Sequence, residues 1–391
     1  MLKVFVGHSE DALATYAVNE VVEQVKSSLA GAQPRAGIVF CSVDFDHAEI
    51  LSVIRENFPA MALAGCTTDG ELSSGIGFAE DSLILMVFVS DKLEICAGVG
   101  RDAARRGGAA GREAAATARA GLSRYVKEER FAIILTDPLN AGVSDIDKGI
   151  QEVFGRTFPI IGGASAAHSK KRKTFQFYNG EVLTDSVVML LFAGPVAFSC
   201  GIMGGHSPMG PKEPVTKAED NVLYRIGDQP AVDYFHKYIG NYDLFMNYCL
   251  AVYEQDRDSF YVRSAPFSDV DRGTVTLNGR VSKGAMVQIG TADKNSVIRS
   301  CNESIRRALE AYPGARPAAA LFFSCAGRKM IMGTQIVQEL QTVQRHLPDI
   351  PFAGFYCYGE FGPLEKGSPY LFHGTTFVTL LLGAAEEDDE G

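Results

Sequence analysis

The sequence predicts an α/β protein in which mixed sheets are flanked by helices and arranged in two domains. Apolar, strand-like segments alternate with amphipathic helical segments along most of the chain. The order strand, helix, strand, helix, strand recurs three times at nearly constant spacing, which indicates three internal repeats. The central apolar segments lack a polar alternation, and this is typical of strands that are covered on both faces.

Each predicted repeat opens with an apolar strand that ends at a glycine. These strands are LKVFVG (2–7), LEICAGVG (93–100) and AMVQIG (285–290). A helical segment follows, and in the first and third repeats its apolar residues recur about every four positions, over 13–29 and 297–312. That spacing places them on one face of an α-helix. The counterpart at 103–126 is alanine-rich, and we predict it as helix from propensity.

A central strand and a second helix come next in each repeat. The central strands are GIVFCS (37–42), FAIILT (131–136) and AALFFS (319–324). The second helices lie around 50–58, 146–154 and 336–347 and end at Pro59, Pro159, and Pro348 with Pro351. Proline ends a helix because it lacks the N–H donor and clashes with the preceding turn.

A third strand that breaks at a glycine follows each second helix. These strands are LAGCTT (63–68), IIGGAS (160–165) and FAGFYC (352–357). A polar loop and a last apolar strand then close each repeat, at 83–89, 187–192 and 376–382. Loops at such strand ends converge at one edge of an α/β sheet, where ligands usually bind.

Residues 201–283 fit none of the repeats. This segment has a turn-rich start, a strand-like run at 221–226, a short helix at 231–239 and strand-like runs on both sides of Gly279. We therefore predict an N-terminal domain of two repeats at 1–200. A C-terminal domain at 201–383 would combine the odd segment with the third repeat, and residues 384–391 would form a disordered acidic tail.

The composition argues against several classes of function. The 391 residues include 37 Lys and Arg against 47 Asp and Glu, a formal net charge of −10, which disfavours nucleic-acid and anionic-membrane binding. No secretory signal is evident, and the longest apolar stretch, 187–198, is shorter than the ~20 residues of a membrane helix. We expect a cytoplasmic protein. The eight cysteines are widely spaced and form no zinc-ribbon pattern.

Five motifs occur in a specific order along the chain. They are GCTTDGE (65–71) with DSL (81–83), VTK (215–217), GDQPA (227–231), FSCAGR (323–328) and GFYCYGE (354–360). Together they resemble the paired N- and C-terminal domains of the FIST family, named for F-box and intracellular signal transduction. The resemblance covers roughly residues 20–382. It implies a sensory module that binds a small, amino-acid-like ligand and regulates a partner signalling protein.

Three functions stay open on this resemblance, and none of them is enzymatic. The first is the ligand-regulated signalling just described. The second is haem-based nitric oxide sensing coupled to a histidine kinase, because a branch of stand-alone FIST proteins of about this length is similar in plan to such sensors. The third is a scaffold module that binds no small ligand. No F-box segment is visible, so ubiquitin-ligase roles are not carried over.

We expect the ligand between the two domains, at the ends of the repeated strands. The first and third loops share the pattern GxxxxGE, whose glutamate would pair with a ligand amine or cap the turn. Arg328 would bind a ligand carboxylate or pair with Glu339 or Glu360. The predicted ligand-binding residues are Thr67, Thr68, Glu71, Ser165, Cys325, Arg328, Tyr356, Cys357 and Glu360.

A haem would need an axial ligand, usually histidine, in an apolar pocket. The candidates are His236 on the predicted aromatic-rich helix, His206 in a Gly/Pro-rich loop and His168 in the second repeated loop. For each of them the alternative is a surface or hydrogen-bonded core histidine. The histidines do not pair at metal-ligand spacing.

Three segments look like catalytic motifs but each lacks a required residue. GASAA (163–167) lacks the last glycine of a nucleophile elbow and precedes a strand-like segment. GVGRDA (98–103) precedes a helix, yet no acidic residue ends a strand about 20 residues further on, as a dinucleotide fingerprint requires. GPK (210–212) stands where a P-loop needs Gly-Lys-Ser/Thr. Cys325 has no histidine close in sequence, which leaves a thiol enzyme unsupported.

Overall fold

Three six-stranded sheets of similar plan and one eight-stranded sheet form the computed structural model of the chain. The structure describes residues 1–123, 128–138, 143–168, 173–240, 248–254, 259–363 and 370–385. Its helices are α1 (Ala14–Leu29), α2 (His47–Asn57), α3 (Ala103–Ala120), α4 (Val143–Phe154), α5 (Ala231–Ile239), α6 (Lys294–Ala311), α7 (Ala326–Met332) and α8 (Val337–His346). Within those ranges no helix is both long and apolar enough to cross a membrane.

The strands follow the predicted alternation with helices over most of the chain. The first twelve are β1 (Leu2–Ser9), β2 (Ala36–Ser42), β3 (Ala62–Thr68), β4 (Glu71–Ser73), β5 (Gly77–Ala79), β6 (Leu83–Ser90), β7 (Glu94–Arg101), β8 (Glu129–Thr136), β9 (Ile160–Ala164), β10 (Gln176–Tyr178), β11 (Glu181–Leu183) and β12 (Ser186–Ala193). The others are β13 (Val196–Gly204), β14 (Ser207–Glu219), β15 (Val222–Ile226), β16 (Gln229–Pro230), β17 (Tyr248–Tyr253), β18 (Tyr261–Arg263), β19 (Phe267–Asp269), β20 (Thr274–Thr276), β21 (Met286–Thr291), β22 (Ala319–Cys325), β23 (Phe352–Cys357), β24 (Glu360–Pro363), β25 (Tyr370–His373) and β26 (Thr376–Ala384).

The three six-stranded sheets have corresponding strand orders. They run β1-β6-β2-β3-β10-β11, β7-β12-β8-β9-β24-β25 and β13-β26-β22-β23-β4-β5. In each sheet the central strand pairs parallel with the third strand and antiparallel with the closing strand. The last two strands of each sheet form a hairpin that the chain supplies from another sheet, so the three sheets are joined in a closed cycle. The predicted α/β class with mixed sheets is confirmed.

The main hydrophobic core lies where the inner faces of the three sheets meet. It combines residues from the central strands of all three, including Phe40, Phe131 and Phe323. Phe40 and Phe355 bring the first and third sheets into contact, with ring centroids 4.6 Å apart. The outer face of each sheet is covered by its own helices, which form three further clusters. The sheets are therefore buried on both faces, as their unbroken apolar strands predict.

The eight-stranded sheet is formed by a segment that lies between β13 and β22, two strands of the third sheet. Its order is β18-β17-β21-β14-β15-β20-β19, with β16 paired to β15, and α5 packs against it. The prediction that residues 285–290 open the third repeat is wrong, because β21 pairs with β14 and β17. The corresponding edge strand of the third sheet is β13, which pairs with β26. The domain boundary predicted at residue 200 lies inside β13, and 386–391 of the predicted tail lie outside the described residues.

The glycine of each third strand lies inside the strand, so the predicted break at this residue is wrong. Gly65, Gly162 and Gly354 each pair with a residue of the neighbouring parallel strand. A Cβ added at these glycines would lie 2.3, 1.9 and 2.6 Å from the carbonyl oxygen of that paired residue. The glycines therefore permit a close approach of two backbones, and the strands continue through them to the predicted loops.

Small residues also explain the alanine-rich helix and the double glycine that precedes it. A Cβ on Gly98 or Gly100 would lie 2.1 or 1.9 Å from a carbonyl oxygen of α3. A Cβ on Gly149 of α4 would lie 1.8 Å from the Gly108 carbonyl oxygen of α3. Close packing of α3 on β7 and α4 thus requires these glycines, and they need no dinucleotide ligand to account for them.

Candidate functional site

The three predicted loops contact one another at the ends of the third strands. Ala166 donates a backbone hydrogen bond to Thr67 O over 2.8 Å, which joins the second loop to the first. Asp69 donates to Tyr356 O over 3.0 Å and joins the first loop to the third. Tyr358 donates to Ala164 O over 3.2 Å and closes the cycle. The structure therefore brings the loops together, as the sequence predicts for strand ends of one sheet edge, although each belongs to a different sheet.

The predicted ligand residues in these loops are buried. Eight of the nine have 0% of their surface exposed, and Cys325 has 8% exposed. The buried eight are Thr67, Thr68, Glu71, Ser165, Arg328, Tyr356, Cys357 and Glu360. What they contact inside the protein decides whether a ligand could reach them.

Glu71 is held in a chain of hydrogen bonds at the end of the first sheet. Its carboxyl accepts from Ser82 N at 3.3 Å and Ser82 Oγ at 2.6 Å. It is also hydrogen-bonded to Thr68 Oγ1, and that hydroxyl donates to Cys41 O over 3.3 Å. Glu71 therefore ties the β4–β5 hairpin to the first sheet, and its oxygens face protein donors.

Gln176 occupies the corresponding position of the second sheet. Its Oε1 accepts from Ser186 N at 3.2 Å, and its Nε2 donates to Ser165 Oγ over 2.7 Å. The Ser165 hydroxyl in turn donates to Thr136 O over 2.9 Å. Because an amide NH₂ can only donate, the direction of this chain is fixed.

Glu360 makes the third such chain. Its carboxyl accepts from Thr376 N at 2.9 Å and Thr376 Oγ1 at 2.8 Å. Its other oxygen lies 3.2 Å from Cys357 Sγ, and that thiol donates to Ser324 O over 3.3 Å. Each of the three sheets thus ends in the same arrangement of a strand carbonyl, a hydroxyl or thiol, and a Glu or Gln.

The neutral acid is the form of Glu71 and Glu360 that fits these chains. A protonated carboxyl donates to Thr68 or Cys357 in the way that the Gln176 amide donates to Ser165. Burial raises the pKa of Glu71 and that of Glu360 to about 7, and the hydrogen bonds from their neighbours offset only part of this effect. In the neutral form, Glu71 connects the β4–β5 hairpin to the first sheet, and Glu360 connects the β24–β25 hairpin to the third sheet.

Arg328 is paired inside the protein with Glu339, one of the two partners left open by the sequence. Its Nη2 lies 2.7 Å from Glu339 Oε1, and both side chains are fully buried. Nη1 and Nη2 also donate to Ser300 Oγ and Val297 O. The other Glu339 oxygen accepts from the Tyr356 hydroxyl at 2.6 Å. This network fixes α7 and α8 on the third sheet.

One cleft, which we call the larger cleft, lies between the third sheet and the eight-stranded sheet. It has a volume of about 450 Å³. On one side are Cys325, Gly327 and Tyr358, at the end of β22 and in the third predicted loop. On the other side are residues of β19, β20 and their connections, among them Phe267 and Asn278. Its position at strand ends and its volume are typical of small-molecule sites, which measure about 300–1,000 Å³.

The described lining of this cleft is uncharged and largely apolar. Pro138, Ala265, Leu277 and Met330 supply apolar surface, and seven of the sixteen described lining residues, Asn278 among them, carry an amide or hydroxyl group. Burial raises the pKa of the Cys325 thiol, and the nearby Glu360 raises it further, so the thiolate is disfavoured. Cys325 therefore acts as a neutral wall residue.

A second cavity of about 360 Å³ is lined by two buried histidines, His206 and His373. Burial lowers the pKa of each imidazole to about 4, so both are neutral at pH 7. His206 Nδ1 is buried without a hydrogen-bond partner among the described residues. His373 Nε2 lies 3.0 Å from Gly362 O.

The other two haem candidates line neither cavity. His236 lies in the last turn of α5 and is half-buried. His168 Nδ1 lies 3.5 Å from Asp69 Oδ1, beside the ion pair that Asp69 forms with Lys329. Among the described side chains, no group of three or more His, Cys, Asp or Glu is arranged to hold a metal ion.

Comparison with protein families identifies both halves of the chain. The FIST N domain matches residues 35–229 and the FIST C domain matches residues 231–363. The chain belongs to the FIST family. FIST domains are sensory domains of signal transduction. The match confirms the resemblance carried by the five motifs. The FIST C domain includes five strands of the eight-stranded sheet, β17 to β21, together with β22 and β23 of the third sheet.

Two relatives that match most of this FIST protein are uncharacterized proteins. An uncharacterized protein of Mycobacterium bovis is 24% identical over 96% of this chain and 97% of its own length. An uncharacterized protein of Methanocaldococcus jannaschii is 23% identical over 87% of this chain and 68% of its own. Among solved structures, cyanuric acid hydrolase of A. caulinodans aligns over 99% of this chain and 100% of its own with 9% identity and a TM-score of 0.39. At that TM-score the likeness supports no conclusion.

Sequence reasoning missed several residues that define these sites. Gln176 is not part of a GxxxxGE pattern. Its position on the fourth strand of the second repeat is the signal that would have shown its correspondence to Glu71 and Glu360. Tyr358 lies in a quoted motif and lines the larger cleft. Arg307 and His373 line the second cavity and carry no motif signal. The inserted segment 201–283 was the available signal for both cavities. A segment that interrupts one repeat can form a cavity wall that the other repeats lack.

Proposed function

We propose that this FIST protein is a small-molecule sensor whose ligand occupies the larger cleft between the third sheet and the eight-stranded sheet. The observation that carries the proposal is the cleft itself, of about 450 Å³, at the end of β22. In the part of the chain that the structure describes, the eight-stranded sheet is inserted between strands of the third sheet, and the cleft lies at the contact between the two sheets. The internally paired Glu71, Arg328 and Glu360 act in this proposal as supports for the loops.

The chemistry of the lining selects the ligand. The resemblance implies an amino-acid-like ligand, whose ammonium and carboxylate groups would each need a charged partner when buried. The described lining provides none, and offers amide and hydroxyl groups such as those of Asn278, Ser264 and Thr276. This favours an uncharged molecule with an apolar body and one or two hydrogen-bonding groups over a zwitterion.

Exposed apolar side chains around the cleft support signalling to a protein partner. Phe267 and Met330 both line the cleft, and they are 58% and 52% exposed. Val270 and Val337 lie nearby in sequence and are 65% and 46% exposed. A ligand that moves Phe267 or Met330 would change an apolar surface that a partner, such as a histidine kinase, can bind.

A thermal-shift panel tests the proposal. The panel compares leucine and phenylalanine with isovaleramide and phenylacetamide, which keep similar apolar bodies and lack both charges. Gly327→Leu fills the cleft, since a Cβ at Gly327 meets only Cys325 Sγ at 3.7 Å and Thr375 Cγ2 at 3.8 Å. Gly75→Leu is the matched control, because its Cβ meets only Ser73 Oγ at 3.6 Å and lies outside the cleft.

We expect a neutral amide to raise the melting temperature of the native protein and of Gly75→Leu, and to leave Gly327→Leu unchanged. A shift of equal size in Gly327→Leu would place the ligand elsewhere. No response to any of the four compounds would favour the scaffold alternative, in which the cleft binds nothing.

Haem-based sensing is the second candidate function. The observation that favours it is that His206, one of the predicted haem ligands, lines the second cavity and has an Nδ1 without a hydrogen-bond partner among the described residues. A haem bound there would supply the gas-binding iron, and His206 would be the residue to hold it. The cavity measures about 360 Å³, near the lower limit of about 300 Å³ for small-molecule pockets, so its walls fit a compact ligand better than a tetrapyrrole. An absorption spectrum after haem reconstitution decides: a Soret band lost in His206→Ala supports haem, and its absence in the native protein argues against it.

A further inference from the structure

The second cavity is a binding site separate from the proposed ligand cleft. It lies between β13, β18, α6 and β25, and its described lining shares no residue with that of the larger cleft. Ile202, Met203, Phe260 and Val262 supply apolar walls. The polar members include His206, His373 and Arg307. A cavity with apolar walls and a few polar groups is the usual form of a small-molecule site.

His206 is the first polar group that points to a ligand. It is only 7% exposed, and its Nδ1 has no hydrogen-bond partner among the described residues. Buried polar atoms in native proteins are nearly always hydrogen-bonded, because an unpaired one has lost its water and gained nothing. The neutral ring carries one N–H donor and one bare nitrogen. In the tautomer whose N–H faces the cavity, His206 would donate to an acceptor oxygen of a ligand.

Arg307 is the second polar group. Its Nε donates to Glu303 Oε1 over 2.8 Å, and its terminal amino groups make no hydrogen bond to described residues. Glu303 is shared with Arg306, which contacts both of its carboxyl oxygens. Arg306 is also hydrogen-bonded to Glu310, whereas the terminal amino groups of Arg307 keep donors for a further anion.

The surroundings of the cavity favour a negative ligand. Burial is the main cause of the lowered pKa of His206 and of His373, with a smaller contribution from Arg328 and from Arg263, of which Arg328 is ion-paired with Glu339. No acidic residue belongs to the described lining. Of the acidic groups beside it, Glu303 is paired as above, and Glu254 accepts the hydroxyl of Tyr261 at 2.6 Å.

We propose that this cavity binds a small monocarboxylate with an apolar body, its carboxylate held by Arg307 and by the ring of His206. The planar guanidinium is suited to two parallel hydrogen bonds with a carboxylate. A free amino acid is disfavoured, because the described lining offers no carboxylate to its ammonium group. A phosphate would need more donors than one arginine and a neutral imidazole provide.

Calorimetric titration with benzoate tests the proposal, with the uncharged isostere benzamide and inorganic phosphate as comparisons. We expect benzoate to bind the native protein at least tenfold more tightly than either of them. Arg307→Gln should weaken benzoate at least tenfold, since it removes a charge-assisted pair. Arg306→Gln, the neighbouring arginine on the same glutamate, should change the Kd less than twofold.

Four outcomes would each overturn the proposal. They are equal affinity for benzoate and benzamide, tighter binding of phosphate than of benzoate, an equal loss of benzoate affinity in Arg307→Gln and Arg306→Gln, and no benzoate binding at millimolar concentration. His206→Phe gives a second readout, because it keeps a ring of similar size and removes the nitrogen atoms, and we expect it to weaken benzoate as well. Gly327→Leu should leave benzoate binding unchanged, so failure here and failure of the proposed ligand cleft are separate results.

Discussion

Replacing Glu71 with glutamine should stabilise the protein at alkaline pH. Gln176 already occupies the corresponding position of the second sheet, donating from Nε2 to Ser165 and accepting from Ser186. A glutamine at 71 would donate to Thr68 and accept from Ser82 in the same way. It would also remove the ionisation that the buried carboxyl resists.

The size of the effect follows from the pKa of Glu71, which burial raises from 4.5 to about 7. Between these values the folded protein keeps a proton that the unfolded chain releases, so the free energy of unfolding falls as the pH rises through this window. The full cost above pH 7 is on the order of 3 kcal/mol. Glu71→Gln should recover much of it at pH 8 and less than about 1 kcal/mol at pH 5.

Urea denaturation of the native protein and of Glu71→Gln at pH 5 and pH 8 measures this difference. The reciprocal change Gln176→Glu is the control, and it should destabilise the protein more at pH 8 than at pH 5. The reasoning would be refuted if Glu71→Gln were destabilising at pH 8, or if its effect were the same at both pH values.

Three further predictions concern the buried network, the strand glycines and the cysteine. Arg328→Met should lower the free energy of unfolding by about 3–5 kcal/mol, because it leaves the Glu339 carboxylate buried without its ion pair. In urea denaturation, the double variant Arg328→Met with Glu339→Leu should lose less free energy of unfolding than the sum of the two single variants. Gly65→Ala should destabilise the protein by about 1–3 kcal/mol, because its Cβ would lie 2.3 Å from Val39 O. A melting temperature equal to that of the native protein would contradict this. Iodoacetamide should label Cys325 in the native protein no faster than the partly exposed Cys96 in mass spectrometry, because burial raises the pKa of the Cys325 thiol, and rapid selective labelling would revive the thiol-enzyme alternative.

Local patterns were sufficient to predict most of the sheets and helices. Continuous apolar runs such as AALFFS identified β22, and proline positions located the ends of α2, α4 and α8. These features depend on residues close in sequence. There were two exceptions. The apolar run of β21 ends in glycine and resembled a first strand although it belongs to the inserted sheet. The predicted turn-rich start of 201–283 is wrong, because the end of β13 and the beginning of β14 lie there.

The candidate site was predicted less completely because it depends on pairing between distant segments. The GxxxxGE pattern located two loop glutamates, but their burial follows from hairpins that cross to another sheet, as β4 does when Glu71 pairs with Phe355. Nothing within 65–71 indicates that exchange. The partner of Arg328 was narrowed to two glutamates, and only the placement of α8 selects Glu339. One wall of each cavity comes from the inserted segment, which has no counterpart in the other repeats.

A tryptophan reporter at the mouth of the larger cleft tests the central claim most directly. The chain contains no tryptophan, so Phe267→Trp creates a single fluorophore beside the cleft, and Tyr16→Trp, at another exposed site on α1, is its control. We predict that isovaleramide or phenylacetamide changes the emission of Phe267→Trp in a saturable way and leaves Tyr16→Trp unchanged. Unchanged emission of Phe267→Trp with both amides, or an equal change in both variants, would contradict the account.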